Sequence, residues 1–399
     1  MDSIETFELR VASVGLRIAR LALRALIVFT IVAALLLALA WAAQRVFGWR
    51  PPAAVAALFV ERVQAAEALL YVYDKDTGWR ANPYTQLHYV LRGPFQRGEP
   101  LDARLRTNAE GFFDRDHFLA TPYYRIAFVG DSWVEAQQVD ASERFSHLVE
   151  EYVPAYSKGA RVVETMNFGW SNLGTAQELG VVRTYVAKYK PDEIWLVFNP
   201  ADDVSDSSPL FTAPPLGPTF TYAADGSIAD VRFGQVHPGS IGERLRRERY
   251  GPWADLGAPQ VLPYLFATES HPAFEAAFAE MRACFRLLVR NAGAARVTVL
   301  YLPPEREMSP GEWREYSAQA QKAAGRALAL DPMNGERRIA AMAADEGAAF
   351  VSLRGLIAEK GPGAMYQAHL SRMGHHWVAD FIARRILATD CCAAPVPPR

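Results

Sequence analysis

From Arg125 to the end of the chain, short runs of β-branched and aliphatic residues alternate with longer segments of helical period. The runs Arg125–Val129, Val162–Asn167, Glu193–Phe198, Arg296–Leu302 and Ala349–Ser352 are apolar almost throughout. A strand with apolar residues at both parities has no face to give to water, so its sheet must be covered on both sides. The intervening segments Ser142–Tyr152, Thr175–Lys188, Pro272–Asn291, Gly335–Glu346 and Met373–Thr389 supply the cover. Strands and helices in strict alternation predict an α/β fold, a three-layer doubly wound parallel sheet. Residues from about 205 to 270 interrupt the rhythm with many Pro and Gly, and are expected to form a long insertion over the sheet edge.

The N-terminal part obeys a different constraint. Between Arg24 and Arg45 lie 20 residues without a charge, Ala25 to Gln44, including Leu26-Ile27-Val28-Phe29 and Leu35-Leu36-Leu37. At about 1.5 Å per residue a helix of that length crosses roughly 30 Å, one hydrocarbon core. It carries no polar stripe of the kind a buried soluble helix would show. A single transmembrane helix is expected, with Trp41 and Trp49 near its far interface. Arg10, Arg17, Arg20 and Arg24 precede it among Phe7, Val11, Ile18 and Leu21, a basic amphipathic lead-in suited to the cytoplasmic surface. Arg45, Arg50 and Arg62 follow, so the positive-inside bias is modest. The expected topology is single-pass in the inner membrane, N-terminus inside and the rest extracytoplasmic. Three segments result: 1–50, lead-in and anchor; 51–124, a connecting region with Ala53–Leu70 helical; and 125–392, the α/β domain.

Composition narrows function by exclusion. Half the residues are hydrophobic and 22% are charged, which rules out wholesale disorder. A net charge of −2 offers no general attraction for nucleic acid. Cys284, Cys391 and Cys392 make neither a disulfide-rich scaffold nor a metal spacing, though an oxidising compartment would allow one bridge from Cys284 to the tail. No dinucleotide, phosphate-loop or metal-helix motif is present, so no cofactor is expected.

In an open parallel sheet, ligands bind beyond the carboxyl ends of the strands. There the chain carries Gly130-Asp131-Ser132-Trp133 after the first strand, Asn167-Phe168-Gly169-Trp170-Ser171-Asn172 after the second, and Asn199-Pro200-Ala201-Asp202-Asp203 after the third. His369 precedes the last helix. A serine at a strand-to-helix turn has an open hydroxyl beside backbone N–H groups suited to an oxyanion. Asp131 is expected to brace that turn, one of His375 and His376 to cap or face solvent, and Trp133 and Trp170 to lie at the pocket mouth, in a packing role rather than a sugar-stacking one. Arg244-Leu245-Arg246-Arg247-Glu248-Arg249 reads as a solvated helix face.

In order and spacing these pieces resemble the SGNH (GDSL-type) hydrolases, over about Arg125 to Leu387 or about two-thirds of the chain. Arg106-Thr107-Asn108-Ala109-Glu110-Gly111-Phe112 is similar to the lead-in of membrane-anchored or exported bacterial members, and Lys190-Pro191-Asp192 also fits. The resemblance implies a flavodoxin-like fold and cleavage or transfer of acyl groups. Ser132 would be the nucleophile and first oxyanion donor, and His369 the general base. Three positions depart from the pattern. Asn172 stands where the second oxyanion donor is usually glycine. Asp202 stands where the third is an asparagine side chain; an ionised carboxylate cannot donate. Tyr366 and Gln367 stand where an aspartate orients the base. Asn199 is a substitute donor, and Asp203 a substitute carboxylate.

The expected function is a membrane-anchored O-acyl esterase or acyltransferase acting on an extracytoplasmic carbohydrate, such as a surface polysaccharide. The alternative is a degenerate member that binds glycan or an envelope partner without catalysis.

Overall fold

Neighbouring residues of the first central strand enter different cores. Ile126 and Phe128 join one apolar cluster, and Ala127 and Val129 the other. The same alternation separates Trp195 and Val197 from Ile194 and Leu196. This is the period of two that an almost uniformly apolar strand imposes when both faces are buried.

The computed structural model describes residues 61–66, 70–92, 100–200, 202–212, 217–234, 239–367 and 369–389, with residues 23, 26, 27, 30 and 32. The chain divides into two units, residues 1–62 with 91–100, and residues 63–90 with 101–399. In the smaller unit, the five residues between 23 and 32 are helical, and the Thr30 hydroxyl donates to the Leu26 carbonyl at 2.8 Å. Among the described residues no helix is long and apolar enough to cross a membrane. Most of the expected span, residues 25–44, lies outside the described residues.

The larger unit is built on five parallel strands: β1 (Tyr124–Gly130), β2 (Val163–Gly169), β3 (Glu193–Phe198), β4 (Arg296–Tyr301) and β5 (Ala349–Ser352). Their order across the sheet is β2-β1-β3-β4-β5, and in register Phe128 lies beside Asn167 and Trp195. Six helices turn the chain at the strand ends or cover the sheet: α1 (Ser132–Glu135), α2 (Phe145–Tyr156), α3 (Thr175–Val181), α4 (Pro272–Asn291), α5 (Asn334–Asp345) and α6 (Arg372–Leu387). α2 and α6 cover one face through Leu148, Val149, Val378 and Ile382. α3, α4 and α5 cover the other through Leu179, Phe285, Leu288 and Ile339. The predicted α3 was longer; after Val181 its hydrogen bonding changes to a π-turn over Val182–Val186.

Several segments differ from expectation. Glu61–Ala66, expected to be helical, is a strand. Tyr71–Asp74 and Gly78–Ala81 form an antiparallel hairpin. Pro310–Ala324 is a further helix. Between 205 and 270 stand a hairpin, Thr219–Tyr222 with Ile228–Arg232, and the helix Gly239–Tyr250. This stretch is seated in the core by Phe220, Val231, Phe233 and Tyr250. Cys284 is fully buried in α4, and the tail cysteines lie outside the described residues.

Candidate active site

β1 ends at Gly130, and the chain turns at once into α1. Asp131 caps that helix, its carboxylate accepting from the Trp133 N–H at 2.9 Å. Ser132 is therefore held at the first helical position, while the N–H groups of Trp133, Val134 and Glu135 are all taken by Asp131. The turn sits close against β2 because position 169 is glycine; a Cβ there would stand 2.3 Å from the Glu135 nitrogen.

His369 arrives from the far end of the chain. It lies in a tight antiparallel pair in which Gln367 faces His369 and Tyr366 faces Leu370. Ser371 then caps α6, accepting from the Gly374 N–H at 2.9 Å and donating to the Ala364 carbonyl at 2.6 Å. The outcome is a contact across 237 residues: His369 Nε2 lies 2.8 Å from Ser132 Oγ. The Trp133 ring, 4.8 Å from the imidazole and 5.8 Å from Tyr366, packs beside the pair. Neither neighbouring histidine caps the helix, and His376 alone of the two keeps partial exposure. His375 is fully buried, its Nδ1 accepting from the Phe145 N–H at 3.3 Å, and burial pulls its pKa down to about 3. His376 meets the Tyr152 hydroxyl at 2.6 Å.

The loop after β2 is fixed by the upstream Asn108–Phe112 segment. The Asn108 side chain accepts from the N–H groups of Glu110 and Phe112 at 2.9 and 3.0 Å. Gly111, at φ +91, lies so close to the Ala81 carbonyl that a Cβ would reach 2.0 Å. Phe112 stacks on Trp170 at 4.1 Å, and the Trp170 indole donates to the Gly111 carbonyl at 2.8 Å. Trp170 is thus a fully buried packing residue, and it does not flank the pocket. Two residues on, Asn172 adopts φ +59. Asparagine tolerates this left-handed conformation almost as glycine does, so the replacement leaves the loop path open to a donating N–H.

The end of β3 gathers carboxyl groups. Asp203 Oδ2 accepts from the Asn199 N–H at 2.6 Å, and its other oxygen accepts from the Thr175 hydroxyl at 3.3 Å. Those bonds hold Asp203 in the β3 turn. The Asn199 amide donates to Asp202 Oδ2 at 2.9 Å and to Asp131 Oδ2 at 3.5 Å. The Asn199 amide therefore faces these two carboxyl groups. Tyr366, at the place of the orienting acid, donates its hydroxyl to the Pro303 carbonyl.

Electrostatics follow from this crowding. Burial, with Asp202 and Asp206 adding repulsion, pushes the Asp131 carboxyl up to about 8. Asp206 is pushed up to about 7 by burial and then by Asp202. Burial also lifts Asp202, against the pull of Arg306. Glu178 and Asp203 are fully desolvated neighbours, and both stand well above the ordinary carboxylate range. Two such groups cannot both ionise cheaply, so protons are retained here at neutral pH.

Beside this cluster opens a cleft of about 770 Å³, walled by Tyr71, Tyr73, Trp79, Asn172, Asp202 and Asp206. The 71–81 hairpin is tied to the site through Glu135. This fully buried carboxylate accepts from the hydroxyls of Tyr71 and Ser171, while the Trp79 indole donates to the Ser171 carbonyl at 3.1 Å. Sequence reasoning missed Tyr71, Trp79 and Glu135. The hairpin lies far upstream, and Glu135 is one acidic residue among many, with no spacing to mark it.

The chain matches no family profile, and no curated protein matches its sequence. Solved structures similar to it include a lipase/acylhydrolase from Enterococcus faecalis, at 15% identity over 66% of this chain and 96% of that one, TM-score 0.35. An acetylxylan esterase from Geobacillus stearothermophilus gives 14%, 67%, 95% and 0.34. The esterase EstA from Pseudoalteromonas sp. gives 12%, 66%, 97% and 0.32. The strand order, the serine turn after β1 and the imidazole beside it are this chain's own features, and on them it resembles the SGNH hydrolases.

Proposed function

We propose that the chain is an O-acyl esterase or acyltransferase working through Ser132, tethered by residues 25–44 to the inner membrane with its larger unit extracytoplasmic. The observation that carries this reading is the 2.8 Å approach of Ser132 Oγ to His369 Nε2. A base at that distance takes the hydroxyl proton as oxygen attacks an acyl carbonyl, and returns it to the leaving alcohol. The Ser132 and Asn172 N–H groups are the oxyanion donors in this reading. A carbohydrate as the alcohol is supported by the cleft, where Tyr71, Tyr73 and Trp79 offer aromatic surface and Asp202 and Asp206 accept hydroxyl protons. Tyr73 leaves 53% of its surface exposed, so its ring has area to offer a sugar face.

A second reading, a glycan- or partner-binding protein without turnover, is favoured by Asp202, which stands where a donor is needed. The test uses the full chain in detergent with an aryl acetate and a fluorophosphonate probe. Acetate release and labelling, both lost in Ser132→Ala, support the enzyme. No release and no labelling of Ser132 would leave the binding reading.

A further inference from the structure

Other buried or half-buried arginines of the larger unit have partners: Arg144 and Arg246 donate to backbone carbonyls, and others are matched to carboxylates. Arg125 holds Glu164 at 2.9 Å, Arg249 holds Glu280 at 2.6 Å, and Arg354 holds Glu307 at 2.6 Å. Arg306 is different. Its Nε is closed off from solvent with no hydrogen-bond partner, and its guanidinium lies 4.8 Å above the centre of the Tyr316 ring. Among the described residues no carboxylate comes within ion-pair distance of it. A half-buried cation with an unmet N–H is costly unless something pairs with it.

The surroundings say what that partner is. Arg306 and Tyr316 line a cavity of about 270 Å³ whose other walls are mainly apolar, with Pro259, Leu262 and Phe266 among them. Asp202 lines this cavity as well as the larger cleft. Asp202 is joined through the Asn199 amide to Asp131, the residue next to Ser132. The cavity therefore shares its Asp202 wall with the cleft beside the candidate site. A guanidinium held over an aromatic ring has an edge that matches the two oxygens of a carboxylate.

We propose that Arg306 binds a carboxylate of the substrate, so that the preferred ester is anionic. This rests on the esterase reading of Ser132 and His369. The carboxylate belongs either to the acyl group, as in a dicarboxylic half-ester, or to the sugar, as in a uronate. The two sources are separated by two pairs of probes given to the full chain in detergent. One pair is the 4-nitrophenyl monoester of succinic acid against 4-nitrophenyl butyrate. The other is an acetylated methyl glucuronoside against the acetylated methyl glucoside.

The expected result is a preference of about tenfold or more in kcat/KM for the anionic member of one pair, and that pair names the source. Arg306→Gln should lower this anionic-to-neutral ratio by about ten- to a hundredfold. Arg306→Lys, which keeps the charge without the planar edge, should fall between. A ratio unchanged in Arg306→Gln, or no anionic preference in the native chain, overturns the proposal. Should the native chain cleave no ester at all, the esterase reading fails and the site is judged by calorimetry with methyl hydrogen succinate and methyl glucuronoside. Binding weakened about tenfold or more in Arg306→Gln then upholds the carboxylate site; binding absent, or equal in both proteins, removes it.

Discussion

In the proposed esterase, Asp202 stands where an oxyanion donor is needed. Its Oδ2 already accepts from the Asn199 amide, so an asparagine at 202 can keep that bond through its oxygen and turn its own amide toward the cleft. An oxyanion donor is worth about 10²–10³ in turnover. Asp202→Asn is therefore expected to raise kcat toward an aryl acetate by at least about tenfold, and a rate equal to or below the native one would show that position 202 does not face the oxyanion. Gln367→Asp should add to the gain, since Gln367 lies directly opposite His369 in the strand pair. Asp131 makes a prediction about stability. Its folded pKa of about 8 lies above the ordinary carboxylate value, so the folded state holds a proton that the unfolded state has lost. Its contribution is complete below about pH 4 and disappears as pH rises through about 8, at up to about 1.4 kcal/mol per pH unit for one proton. Asp131→Asn keeps an acceptor for the Trp133 N–H and cannot ionise. Denaturant unfolding between pH 5 and 8 should fall less steeply with pH in this variant, and an identical slope would place the proton elsewhere.

Elements were legible where their residues obey one dominant pattern. The runs that became β3 and β5 match their observed bounds; β3 is buried at all six positions, as a doubly covered strand must be, whereas β5 stands at the sheet edge and is partly exposed. The serine turn and the histidine segment were legible because nucleophile and base are separate pieces that the sheet topology brings together. The 71–81 hairpin was not. It has four-residue strands, no uniform apolar run, and a role that exists only through Glu135, where α1, the hairpin and the Ser171 loop meet. Burial raises the Glu135 carboxyl above its ordinary range, and leaving a buried polar group without its partner costs about 1–3 kcal/mol. Tyr71→Phe is therefore expected to lower unfolding free energy by about that amount and to loosen the hairpin. A carbohydrate ester should lose more kcat/KM than a simple aryl acetate, since the small ester does not need the aromatic wall. Equal losses on both esters would mean that the hairpin braces the serine turn and does not touch substrate. The departures at Asn172 and Asp202 were visible as residue types, but their consequences were not. The φ of Asn172 and the amide shared by Asp131 and Asp202 are properties of the folded loops.

At the scale of the whole molecule, the proposed topology rests on charge and length. The 20 uncharged residues from Ala25 to Gln44 suffice for one hydrocarbon core, and four arginines precede them against two, Arg45 and Arg50, immediately after. A modest imbalance of this kind fixes orientation only weakly, which makes it testable by reversal. In a Gram-negative host the full chain should remain with membranes through an alkaline carbonate wash. Protease added to spheroplasts should digest the larger unit, while intact cells protect it. Replacing Arg10, Arg17, Arg20 and Arg24 by glutamine should shift a measurable fraction to the opposite orientation, in which the larger unit resists protease in spheroplasts. Extraction by carbonate would defeat the tether itself. Protection of the native chain in spheroplasts would leave the tether standing but move the Ser132–His369 pair to the cytoplasmic side, out of reach of any surface carbohydrate.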